Sequence, residues 1–376
     1  SNGCDRGKTM SWVVRVALLA TATGLNCLAA ARPVCGQEPV AYITTGNSGP
    51  YYEIASAEIL LEPLETGSSR PVVTALAASH DGKYLAAAGD DHAIRIIEVE
   101  SGETLEILSG HEDWIQSLSF AGDSQALFSA GNDGRVLQWN NRYPIEATEV
   151  VRLPYALRSL TVSNQQQLLA IGGFSKEIVV WDLSAGKVRF RLTCDCRDQR
   201  CVRFSPDGMH ILSGGRDGEL RVWRTDNGEV IADFHEHVGR VQTASFSADG
   251  WQVTSAGEDR QLIRYDLQTA RVTHKQEFAQ SKLMSLCLIS NDVVAVAGAD
   301  NAIHLYDAST NEVLADLRGH FGSVAVMTPC GDFLASGSFD TSIRIWNLET
   351  IEAGIFNFSK PVSRSLIKMD SRLKIR

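Results

Sequence analysis

The chain has 376 residues, enough for one large domain or two ordinary ones around a substantial core. With 44% apolar and 21% charged residues it is globular in composition, and eight cysteines are too few for a disulfide scaffold. A formal net charge of -10 lacks the basic footprint of a nucleic-acid binder, which excludes nucleic acid from the expected partners.

Residues 1–36 read as an N-terminal extension and a secretory signal peptide. Arg15 stands near the start of a hydrophobic segment, the run from Val16 to Ala31 is uncharged, and small residues follow. That run is short against the roughly 20 residues of a membrane span. Cleavage after Ala31 or after Gly36 fits, with an uncleaved anchor as the alternative; either way the expected location is exported, periplasmic or secreted, with no other span in the chain. Residues 37–71 are a lead-in, whose stretch YYEIASAEILLEPLE (51–65) is a candidate ring-closing strand.

From 72 to 359 one unit recurs seven times. Ile97, Trp139, Trp181, Trp223, Tyr265, Tyr306 and Trp346 stand at the ends of equivalent apolar runs, with successive spacings of 42, 42, 42, 42, 41 and 40 residues. Each unit has a first run ending in a turn such as Ser205-Pro206-Asp207-Gly208, a second run, a tight turn with Asp and Gly such as Asp217-Gly218, a third run carrying the aromatic residue, and a fourth run. Short runs between Gly, Asp and Asn turns are strands. Four antiparallel strands per period predict an all-β propeller, in which radial repetition protects the sheet edges.

These repeats resemble the WD-repeat (WD40) family. The resemblance implies a hydrogen-bonded tetrad of a His before the first strand, a Ser or Thr in the second, the turn Asp and the Trp of the third. Repeat two holds all four, His111, Ser129, Asp133 and Trp139, and repeat seven holds His320, Ser336, Asp340 and Trp346. Repeat five has His237, Ser255 and Asp259 with Tyr265 in place of Trp. Repeat four keeps Ser213, Asp217 and Trp223 but has Asp195 where His belongs. Repeats one, three and six keep only Asp91, Trp181, and Asp300 with Tyr306. The role of the tetrad is structural, since buried polar groups need partners. A Ser–His–Asp set also suggests nucleophilic catalysis, but a copy in several repeats argues against a single active site.

The number of blades stays open at this level. Seven blades can close with the 51–65 segment as an outer strand. Alternatively EAGIFNF (352–358) is a fourth strand and residues 360–376 begin an eighth repeat that an N-terminal strand completes.

Cysteines 194, 196 and 201 lie together between repeats three and four. An oxidising compartment favours a Cys196–Cys201 or Cys194–Cys201 disulfide, free thiols being the alternative; the spacing fits a zinc site poorly, and no metal or cofactor is expected. His92 and His304 have no assigned role.

The family resemblance further implies a non-catalytic scaffold that binds a protein or peptide on the face formed by the entry loops and the second-to-third turns. The residues before the turn Asp are then exposed: Asp90, Asn132, Phe174, Arg216, Glu258, Ala299 and Phe339. With Trp114 and Arg240, the aromatics and arginines Phe174, Phe339 and Arg216 are the expected contacts, since such residues anchor interfaces. The rival reading is a propeller enzyme with its site in the central channel, which needs convergent His, Asp or Glu side chains from several blades.

Overall fold

The computed structural model describes residues 41–349, apart from 45–50, 55, 123, 141–144, 164, 195, 279–280, 291–292, 309 and 311. The signal-peptide region, Asp195 and the segment 360–376 therefore lie outside the described residues.

Seven antiparallel sheets form the ring, each running first to fourth strand from the axis outward. Blade 2 is typical, with strands Ile115–Phe120, Ala126–Gly131, Arg135–Asn140 and Ala147–Arg152. The burial pattern follows from position in this radial order. In blade 3 every residue of the second strand, Leu168–Gly173, is buried, because neighbouring blades cover both faces. In blade 5 the outer strand, Arg271–Glu277, alternates exposed and half-buried residues, as expected with one face on the core and one in water.

Closure comes from the lead-in. Strand Ser56–Leu60 pairs antiparallel with Ser342–Asn347 and so becomes the outer strand of blade 7. This is the seven-blade closure with the 51–65 segment as outer strand; residues 352–358, used by the alternative, lie outside the described residues. The ring thus has seven blades, and the eighth-blade reading is corrected. Ile59 and Leu61 seal the join among Val73, Leu85 and Ile97 of blade 1 and Ile343 and Ile345 of blade 7. Burying an aliphatic side chain of this size is worth about 1.5–3 kcal/mol. A second N-terminal element is a hairpin, Ala41–Thr44 with Tyr51–Ile54, which extends blade 6 to six strands by pairing with Val313–Arg318.

Two features of the repeat shape the faces of the ring. The residue after each turn Asp adopts left-handed φ: 76° at Gly134 and 81° at Gly218, but also 64° at His92, 66° at Arg260 and 71° at Thr341. Gly218 is doubly constrained, since a Cβ there would collide with the His237 carbonyl. In every blade, moreover, the pairing of first and second strands slips by one residue near the start of the first strand, for example between Leu157 and Ser159 and between Gln199 and Cys201. Such a bulge leaves one residue out of the ladder and re-aims its side chain. The bulged residues are Thr74, Gln116, Arg158, Arg200, Gln242, Met284 and Ala325. All seven line the upper mouth of the central channel.

Candidate functional site: tetrads, top face and channel

The three complete His–Asp–Ser sets are closed networks. In blade 2, His111 Nε2 lies 2.7 Å from Ser129 Oγ and Nδ1 2.8 Å from Asp133 Oδ2, and Trp139 Nε1 donates to the same Ser129 Oγ at 2.9 Å. Blade 7 repeats this with His320, Ser336, Asp340 and Trp346 at 2.7, 3.0 and 2.8 Å. In blade 5 His237 bridges Ser255 and Asp259, and the buried Tyr265 stands in for Trp, with its ring centroid 4.4 Å from that of Phe234. Each Asp also ties down its turn: Asp340 accepts from the Phe321 and Ser342 N–H groups. Burial works against the Asp340 charge, but hydrogen bonds from His320, Ser342 and the Phe321 N–H hold its carboxyl well below the usual range. Ser129, Ser255 and Ser336 are fully buried. An attacking nucleophile needs access to substrate, and these hydroxyls have none.

Blade 4 is built differently. Trp223 Nε1 donates to Ser213 Oγ at 2.9 Å, but Asp217 is exposed. The imidazole's space is taken by sulfur. A Cβ placed on Gly131 or Gly257 would meet a tetrad imidazole at 3.0 Å, whereas on the equivalent Gly215 it would meet Cys196 Sγ at 2.6 Å. Cys194, Cys196, Cys201, Cys287 and Cys330 are all free and buried, so neither proposed disulfide is formed. The Cys194 thiol, together with burial, pushes the Cys196 thiol up, and burial pushes Cys201 up to about 11. Among the described residues no group of three or more His, Cys, Asp or Glu is placed to hold a metal.

Blades 3 and 6 dispense with the network. Leu153, Ile171 and Trp181 occupy the tetrad places in blade 3, and Phe278, Val296 and Tyr306 occupy them in blade 6, where the rings of Phe278 and Tyr306 meet edge-on at 5.3 Å. His304, unassigned from sequence, bridges Asp316 at 2.6 Å and Asp300 at 2.7 Å. Burial opposes its charge, but the two carboxylates outweigh that and raise its pKa to about 9.

On the top face the residues expected before the turn Asp divide. Phe174, Arg216, Ala299 and Phe339 are exposed; Asp90, Asn132 and Glu258 are half-buried. Asp90 accepts from the Val72 N–H, which makes it a cap. Trp114 is 44% exposed, comparable to Phe174 at 48% and Phe339 at 45%. Arg240 is not a free anchor: it pairs with Glu258 at 3.3 Å and reaches Asp198 at 4.0 Å. Among the described residues Val238 and Phe321, each directly after a tetrad His, are the most exposed large apolar side chains, at 89% and 71%. Their place in the repeat was the signal that could have found them.

The arginines of the mouth were also missed. Arg158 and Arg200, at equivalent bulges in blades 3 and 4, flank Phe174, with their guanidinium carbons 5.9 and 5.2 Å from its ring centroid. Arg200 also pairs with the buried Asp198 at 3.2 Å. Burial and the neighbouring Arg200 lower Arg158 to about 10, against the pull of Asp198. Among the described residues, the charged side chains that line the upper cavity are Arg158, Arg200 and Arg203, with the carboxylates of Asp198 and Glu258 behind them in ion pairs.

The comparisons with known proteins agree with this geometry. The family model of the WD domain, G-beta repeat, matches residues 61–98, 102–140, 187–224 and 311–347. The chain is a WD-repeat β-propeller. It is similar to the Periodic tryptophan protein 2 homolog of Dictyostelium discoideum, 28% identical over 52% of this chain and 22% of the relative. Autophagy-related protein 16 of Arabidopsis thaliana is 24% identical over 64% of this chain and 49% of its own length. An uncharacterized WD repeat-containing protein of Schizosaccharomyces pombe is 21% identical over 69% of this chain and 73% of its own. The chain thus spans about a fifth to a half of the length of the first two relatives. Among the described residues no helix is long and apolar enough to cross a membrane.

Proposed function

We propose that this WD-repeat propeller is a non-catalytic, exported platform that docks a protein or peptide on its top face. The observation that carries this reading is the rim around the channel mouth, where Trp114, Phe174, Phe339 and Phe321 are exposed beside Arg158, Arg200 and Arg216. Aromatic and arginine side chains are the usual energetic anchors of interfaces, and an exposed cluster of them on a folded monomer marks a binding surface. The three buried Ser–His–Asp sets support a structural use of that chemistry. Export rests on the leader-like segment within residues 1–36, with its uncharged run behind Arg15.

The test is affinity purification from the extracytoplasmic fraction with wild-type protein and with Trp114→Ala and Phe339→Ala. Each variant is expected to lower partner affinity about tenfold or more while the thermal midpoint stays put. Unchanged binding in both folded variants would sink the reading. The same preparation reports on export, since the protein itself has to be present in that fraction.

A further inference from the structure

Seven near-equivalent blades provide an internal control for every channel position. At the waist, three residues below the bulge, six blades place a short side chain: Ala77, Ser119, Thr161, Ser245, Cys287 and Thr328. Blade 4 places Arg203 there, exposed to the channel. Its guanidinium donates only to neutral oxygens, the Val202 carbonyl at 3.0 Å and Ser159 Oγ at 3.5 Å. It enters no ion pair among the described residues. A packing role is poorly served by the longest cation in a ring of small residues, and the other six blades show that the fold does not need it.

The rest of the channel has the same sign. The upper cavity, about 240 Å³, has Arg158, Arg200 and Arg203 as its only charged lining residues; the lower, about 560 Å³, has Arg203 and Arg264. Around the mouth, the four guanidiniums of Arg158, Arg200, Arg203 and Arg240 face two carboxylates, Asp198 and Glu258. A chain of net charge -10 therefore concentrates an excess of about two positive charges in a walled cleft, where low-dielectric surroundings focus the field. Arg203 faces this channel exposed and, among the described residues, without a carboxylate partner, so it can take a counter-charge from a ligand.

We propose that the upper channel receives the carboxylate of an Asp or Glu side chain from an extended segment of a protein partner, with Arg203 as the terminal contact and Arg158 and Arg200 guiding entry. The occupant is a peptide side chain rather than a free metabolite because the aromatic rim of Trp114, Phe174 and Phe339 gives a flanking backbone and apolar residues a place to lie. This inference rests on the top-face reading and names the chemistry of its ligand.

The probes are a fluorescein-labelled peptide of about eight residues carrying three glutamates and one phenylalanine, its glutamine counterpart, and glutarate as a free dicarboxylate. Binding is read by anisotropy at low salt for wild type, Arg203→Ser, Arg203→Lys and the rim variant Phe174→Ala, with thermal midpoints as a folding control. Serine occupies this position in blades 2 and 5, so Arg203→Ser is expected to fold. The expected result is binding of the glutamate peptide but not of the glutamine peptide, a loss of about tenfold or more in Arg203→Ser, partial recovery in Arg203→Lys, and little competition by glutarate. Equal affinity of wild type and Arg203→Ser overturns the inference; if Phe174→Ala still weakens binding, top-face docking stands without the channel. Full competition by equimolar glutarate overturns the peptide assignment in favour of a small-anion site. Wild-type indifference to the glutamate peptide overturns the carboxylate, while partner capture by the rim decides the docking reading separately.

Discussion

Blades 6 and 7 sit side by side and solve the same packing problem in opposite ways. Blade 7 links Trp346, Ser336, His320 and Asp340 through buried hydrogen bonds, while blade 6 fills the same places with Phe278, Val296 and Tyr306. Both centres are buried. The difference teaches that the tetrad is one of several local solutions, since exchanging both partners of a buried hydrogen bond for apolar groups of similar shape costs little, whereas removing one partner costs a great deal. Blade 6 then places its charge elsewhere, in the Asp300–His304–Asp316 bridge toward the outer strand.

The sharpest way to break this comparison is Ser336→Ala. Ser336 Oγ serves both His320 and Trp346, so its loss strands two buried groups and is expected to cost about 4 kcal/mol, taking the full desolvation penalty of each. Urea denaturation checks it. A cost below about 1 kcal/mol would mean that the apolar contacts of blade 7 already suffice and that the two blades do not differ as described.

A smaller effect separates the blades by pH. The pKa of His304 rises from 6.5 in the unfolded chain to about 9 in the folded one. Its stabilisation is therefore complete below about pH 6.5 and is lost as pH rises toward 9, amounting to about 3 kcal/mol. The facing groups are Asp300 and Asp316, the latter also paired with Arg318, and the Phe278 ring. The Asp340 carboxyl, held low, acts at the other end: its contribution is present above about pH 4 and lost on acidification. Hydrogen exchange followed blade by blade is expected to show blade 6 losing protection between pH 7 and 9 after correction for intrinsic rates, and His304→Gln abolishing that trend. An unchanged trend in the variant would contradict the assignment.

Legibility in the sequence followed the same division. The 42-residue phasing of the aromatic residues made the propeller and its seven units visible, and complete tetrads declared themselves because all four residue types recur in register. Apolar replacements carry no such signal: Phe278 and Val296 look like any strand residues until the structure sets them in the tetrad's place. The His304–Asp316 pair was hidden because it depends on cross-strand register. Closure by the 51–65 segment was legible as one of two readings, and the pairing of Ser56–Leu60 with Ser342–Asn347 decides between them. Arg158, Arg200 and Arg203 were missed for a further reason. Their scatter along the chain looks like ordinary surface charge, and only the bulge and the inward face of the first strand bring them to one channel.

The central claim is that the top face, not its opposite, receives the partner. A photo-crosslinking amino acid at position 174 on the top rim, compared with one at position 251, where Trp251 is equally exposed beside the first-to-second strand turn of blade 5 on the other face, tests it most directly. The account predicts a cross-linked partner at 174 and none at 251; cross-linking at 251 alone, or equally at both, would contradict it.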